Sequence, residues 1–142
     1  LAALGVDGDR ATIVRAIGAV KARSRTTLDV ARQVAVRLDA KQVAPDDKAR
    51  REIAADPAGY RAALEASVAA LRHTEWSPPA LEQRLRGLAD ERGVPAGKIF
   101  QPIRIALTGG TVSEPVHELL YVVGKAAALG RLAQAATDAA AP

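Results

Sequence analysis

Apolar residues recur at intervals of three and four along this chain and nowhere alternate one by one with polar residues. That period keeps one face of a helix buried and cannot do so for a strand. Ile13, Ile17 and Val20 predict a helix over residues 10–23. Leu28, Ala31, Val34, Ala35 and Leu38 predict a second, which Thr26 or Thr27 can cap. Residues 39–48 read as a linker, with Asp46-Asp47 a turn and N-cap signal ahead of a short helix after Pro45. Pro57 suits the first turn of a helix whose apolar face is Tyr60, Leu64, Val68 and Leu71.

Residues 73–79 break that helix and open another. Ser77 is placed as N-cap and Pro78 at the first helical position, and Trp76 is placed to staple onto Leu81. Leu81, Leu85 and Leu88 follow, and Gly93 ends the run. Lys98–Leu107 carries Phe100, Ile103 and Leu107, with Pro102 near its start and Gly109-Gly110 closing it. Ser113 then caps a helix with Glu114 and Pro115 in its first turn and Val116, Leu119, Leu120 and Val123 on its apolar stripe. Gly124 precedes a last Ala-rich helix with Leu129 and Leu132, and from about residue 135 little remains to bury, so the tail is expected to fray. The fold class is all-α, in two small helical subdomains, 1–72 and 73–142.

Composition narrows the chemistry. At 142 residues with 49% apolar, a real core is available, but aromatics are only 3%, so Ala, Leu, Val and Ile must build it. So few rings exclude a base-stacking single-strand binder. Zero cysteines exclude disulfides, thiol catalysis and Cys-ligated metal, and two histidines, His73 and His117, are too few for a His-rich site. Both are expected to be packed or half-exposed rather than catalytic. No apolar run approaches the roughly 20 residues that span a bilayer and no leader pattern opens the chain, so a cytoplasmic protein is expected. A chain starting at Leu1 is expected to be a piece of something larger.

Charge is unevenly spread. Residues 10–37 hold Arg10, Arg15, Lys21, Arg23, Arg25, Arg32 and Arg37 against Asp29 alone, a local balance of +6 in a chain of net +4. Residues 51–91 reverse it, with five arginines against seven acids. This pattern fits either one face that meets a polyanion or an Arg-rich solvated surface.

The stretch KIFQPIRIALTGGTVSEPVHELLYVVGKAAALGRL, Lys98–Leu132, resembles the C-terminal anticodon-binding region of bacterial-type glutamyl-tRNA synthetases. Its core is FQP-I-R-x-A-L-T-G, then x-x-V-S, an acidic helix and Gly-Lys. Upstream, EWSPPALEQRLRGLADERGVPAGK is similar to the helix before that motif, and VKARSRTTLDVA to an Arg-containing helix junction. The resemblance spans about residues 10–135. Family members often carry Pro-Gly-Leu-Phe or Pro-Pro-Leu-Phe after the serine, where this chain has Glu114-Pro115-Val116-His117. The nucleotide-binding catalytic domain is missing. The resemblance therefore implies the anticodon-binding helical array of a class I aminoacyl-tRNA synthetase, a monomer without ATP or glutamate chemistry of its own. Its partners would be the anticodon loop of glutamate tRNA and the catalytic domain of the same parent. The domain needs no cofactor or metal, while the parent, a glutamate–tRNA ligase, uses ATP and Mg.

By the same resemblance, Arg104 contacts the anticodon, which suits a guanidinium fork able to bond bases and stack on them; the plainer reading is a surface arginine or an interhelical ion pair. Lys21, Arg23 and Arg25 form K-x-R-x-R with no acid inside, a phosphate grip in which Arg23 or Arg25 matches the discriminating arginine. The plainer role there is complementing a helix C-terminus. Ser113, Glu114 and Val116 match the segment that reads the last anticodon base, although Ser113 also serves as a cap and Val116 as core. Arg86 joins the set, with Glu82 four residues earlier able to occupy it. The rival function is a helical protein-interaction module that uses its Leu and Val grooves without RNA specificity.

Overall fold

Two aspartates start consecutive helices in the middle of the chain. In the computed structural model, which describes Ala31, Val34, Ala35, Arg37 and residues 44–140, the Asp46 carboxylate accepts from the Ala49 N–H at 2.8 Å and opens α1 (Asp47–Ala55). Asp56 accepts from the Gly59 N–H at 3.0 Å and opens α2 (Pro57–Leu71), with Pro57 in its first turn. Each cap satisfies an N–H that the helix itself cannot. The Asp46-Asp47 signal and the short helix after Pro45 are both found. The predicted helices over 10–23 and 26–38 lie outside the described residues, except that Ala31, Val34, Ala35 and Arg37 are helical.

Ser77 is the N-cap of α3 (Pro78–Arg92), as predicted, but its hydroxyl makes no cap bond and faces Glu75 Oε2 at 3.3 Å instead. Gly93, at φ 66°, ends α3 in the left-handed conformation. α4 (Gly97–Thr108) starts within one residue of the expected Lys98, and Pro102 lies inside it rather than near its start. Gly109 closes α4 at φ 75°, and a Cβ there would stand 2.2 Å from the Ala44 carbonyl oxygen. That close approach carries the Asp46 N–H to Gly109 O bond of 2.8 Å, which ties the start of α1 to the end of α4.

α5 (Val116–Val123) has Pro115, not Ser113, at its N-cap, so Glu114 and Pro115 precede the helix instead of forming its first turn. Gly124 then separates α5 from α6 (Lys125–Ala140). The tail is not frayed through residue 140: it stays helical, Ala136 is buried, and Ala135 and Ala139 pack on the core. The reason is α2, whose face lies against α6 and gives those alanines something to cover.

All described regular structure is helical, with no strand among the described residues. One apolar cluster runs from Ala49 to Ala136 and is made of Leu, Ile, Val and Ala with Tyr60 as its ring. α2 packs on α6 and α4, and α3 packs on α5, so the cluster draws on both sides of the turn at residues 73–77. Trp76 packs against it from that turn and donates its indole N–H to Leu120 O in α5 at 3.1 Å.

Candidate nucleic-acid interface

Arg104 stands in the third turn of α4, and its guanidinium is held in a set geometry. Its Nε–H donates to Ser113 Oγ at 2.8 Å and an Nη1 hydrogen to Gln101 Oε1 at 2.6 Å. Gln101 precedes Arg104 by three residues and so shares its helix face. The Gln101 amide donates in turn to Thr111 O at 3.1 Å and to Glu52 Oε2 at 3.2 Å. The Ser113 hydroxyl donates in turn to Glu114 O at 2.6 Å. Arg104 and Ser113, both predicted for the site from sequence, are thus brought into direct contact. The serine does not cap α5; it orients the arginine.

One turn before Arg104 on the same face lies Phe100, and the Arg86 guanidinium sits over its ring at 5.4 Å from the centroid. Such stacking leaves the outer guanidinium face available to a planar ligand. Arg86 is 59% exposed and is steadied by Glu82 Oε2 at 3.5 Å, the i−4 partner expected for it. The same carboxylate oxygen meets His117 Nδ1 at 3.4 Å. His117 is half-buried and His73 exposed, and no group of three His, Cys, Asp or Glu able to hold a metal occurs among the described residues.

Two predicted site residues lie elsewhere. The Glu114 side chain is 1% exposed and pairs with Arg37, itself 2% exposed, through Nε to Oε2 at 2.9 Å and through Nη2 to Oε1. Its charge faces the interior, so it neither meets a surface ligand nor repels one. Val116 is buried at the start of α5 and belongs to the core. The two turn inward for different reasons: Glu114 meets Arg37, and Val116 opens the apolar stripe of α5. Lys21, Arg23 and Arg25 fall outside the described residues.

Sequence reasoning missed Gln101, Phe100 and the Arg37–Glu114 pair. Gln101 and Phe100 were visible as i−3 and i−4 neighbours of Arg104. The ion pair joins residues 77 positions apart, and no local spacing announces such a contact. It also missed Val112, which stands 79% exposed at the crest of the segment beside Ser113.

The family described as "Anticodon binding domain" matches residues 2–136. Among curated relatives, glutamate–tRNA ligase 1 of Granulibacter bethesdensis is 32% identical over 130 residues, covering 91% of this chain and 27% of its own length. Glutamate–tRNA ligase 2 of Rhodospirillum rubrum is 36% identical over 136 residues, covering 93% and 28%. The chain thus spans little more than a quarter of the length of these relatives. A crystal structure of a glutamate tRNA ligase from Elizabethkingia meningosepticum superposes on 96% of this chain and 27% of that one, with a TM-score of 0.82 at 21% identity. That superposition establishes the shared helical fold.

Proposed function

Because the chain belongs to the anticodon binding domain family, we propose that it is the anticodon-reading part of a glutamate–tRNA ligase and that its ligand is the anticodon loop of glutamate tRNA. The observation that carries this reading is the family match across residues 2–136. The geometry supports it. Arg86 over Phe100, then Arg104 one turn on, then Ser113, make a row of oriented cationic and hydroxyl groups on α3, α4 and the segment that follows. A loop with splayed bases is read by donors from several elements and by guanidinium planes on which bases stack. The cations ahead of Arg37 in the basic stretch would supply phosphate contacts, with Lys21 as a grip and Arg23 or Arg25 as a second reader.

In this reading the domain binds and does not react. Glutamylation, with its ATP and Mg, belongs to a catalytic domain of the parent chain, which this domain serves by holding the far end of the tRNA. The domain works as a monomer in the cytoplasm. No described helix is long and apolar enough to cross a membrane.

The test is a titration of the chain with glutamate tRNA and with anticodon-loop variants over a range of salt. The reading requires a preference for the glutamate anticodon and an affinity whose logarithm falls steeply with the logarithm of salt. Binding that ignores the anticodon, or no RNA binding at all, would return the chain to the rival role of a protein-interaction module.

A further inference from the structure

Seven residues, 109–115, connect α4 to α5 without regular structure, yet the chain fastens them from several sides, three of them distant in sequence or in the fold. Gly109 O accepts from the Asp46 N–H at 2.8 Å, Thr111 O accepts from the Gln101 amide at 3.1 Å, and the Glu114 carboxylate is gripped by the Arg37 fork. The first two fasten backbone carbonyls near the start of the segment. The third is a buried charged anchor, and it comes from the only charged residue in GGTVSEP. Between the second and third anchors stand Val112, exposed, and Ser113, which orients Arg104.

The anchor reaches further than one pair. The carbonyl of Arg37 accepts from Arg131 Nη2 of α6 at 2.9 Å, so the α4–α5 connection, the helical residues around Arg37 and α6 meet in one buried polar knot. Arg131 is itself 7% exposed. Burying two opposite charges is costly and an apolar pair of equal volume often does as well or better for stability. What an apolar pair cannot do is fix direction, because it has no bidentate fork.

We propose that Glu114 is a positioning residue for anticodon discrimination. Through its ion pair with Arg37 it sets the register of residues 112–114, and so holds Ser113 Oγ where Arg104 Nε can use it. It acts without touching RNA. The proposal rests on the anticodon reading above for its effect on discrimination, but its geometric half does not.

Two readouts test it in the 142-residue chain. One is the Arg104 Nε–H signal in a 15N spectrum, whose slow solvent exchange reports the bond to Ser113. The other is the ratio of affinities for the glutamate anticodon and a loop variant differing at one base. Glu114→Gln, which keeps an oxygen for the fork, should retain most of both. Glu114→Ala should bring the Nε–H into fast exchange and reduce the discrimination ratio roughly tenfold, while the salt slope stays the same, because no phosphate contact is lost. Where Glu114→Ala does not fold, the paired Arg37→Leu/Glu114→Leu chain fills the same space without direction. It should fold and show the same two losses. A paired variant that keeps a slow Nε–H and the wild-type ratio would overturn the proposal and leave the ion pair a packing element. If the wild-type chain shows no anticodon preference, the anticodon reading fails, and the Nε–H exchange alone then decides whether Glu114 positions Arg104: fast exchange in the paired variant upholds it, slow exchange overturns it.

Discussion

Arg104 is useful because its neighbours have already restricted it. A long arginine side chain surrenders up to about 2 kcal/mol of rotamer freedom when it is ordered by a ligand. Gln101 and Ser113 impose much of that order beforehand. Arg104→Ala is therefore predicted to cost about 1–3 kcal/mol of tRNA binding and to relax discrimination at one anticodon position, read by titrating loop variants. Lys21→Ala, if Lys21 grips a phosphate, should instead weaken all variants alike and lower the salt slope by about one. An unchanged preference in the Arg104→Ala chain would remove Arg104 from the reading set. Tyr60 makes a second prediction at this scale. Burial, and then the nearby charge of Asp138, push its hydroxyl from 10.0 up to about 12. The unfolded chain ionises this group near the lower value and the folded chain only near the upper one. Its contribution to stability is thus complete below the lower value and drains away as pH rises through the interval. Tyr60→Phe has no such proton to lose. Urea melts should show the wild type losing stability relative to Tyr60→Phe between pH 10 and about 12, with a constant difference at lower pH.

At the scale of elements, local signals served well wherever a cap or a glycine acted alone. Asp46, Pro57, Gly93 and Gly109 end or start helices where the sequence placed them, since each meets a backbone requirement within four residues. Ser113 misled because its hydroxyl had a distant customer: Arg104, nine residues earlier, outcompeted the helix N–H groups. Trp76 was placed as a staple on its own helix, but its indole N–H reaches Leu120 in α5. That makes it a tie between the 73–77 turn and α5. Trp76→Ala should destabilise by roughly 3 kcal/mol, and Trp76→Phe by about 1 kcal/mol, the share of one hydrogen bond, since Leu120 O keeps its Gly124 partner. Neither should alter tRNA affinity per folded molecule, and a stable mutant that no longer binds would show that Trp76 has the wrong role. The tail offers a sharper contrast. Ala135, Ala136 and Ala139 look dispensable one by one, yet together they finish the α2–α6 contact. Ending the chain after Gln134 should cost about 2 kcal/mol of unfolding free energy, near 0.8 kcal/mol for each buried methyl. A frayed tail would cost nothing, and a thermal melt distinguishes the two.

At the scale of the whole molecule, period and composition were enough for an all-α chain with an aliphatic core, because every helix had to bury its stripe against another helix. They could not give the partners. Which stripe meets which is decided by long-range packing, and the closest association, α2 with α6, joins residues more than 50 positions apart. The same holds for the site. Arg104 and Ser113 were legible as types at a motif, while Glu114's inward turn depended on Arg37 far upstream. The pairing of α2 with α6 also bears on the proposed division into subdomains 1–72 and 73–142. If those halves were separate folding units, α2 would keep its protection when α3 to α6 unfold. With α2 sealed by α6 and α4 in one cluster, Leu64 in α2, Leu85 in α3 and Leu132 in α6 should instead lose amide protection together, through one opening free energy and one urea dependence. Trp76, the single tryptophan, sits at the joint and reports it by fluorescence. Its urea midpoint should coincide with the midpoint of that common opening, the mark of a two-state unit. A Leu64 amide that opens at lower urea than Leu85 and Leu132, with the Trp76 transition falling between, would mean that the joint divides the fold and that the α2–α6 contact is an interface between two bodies.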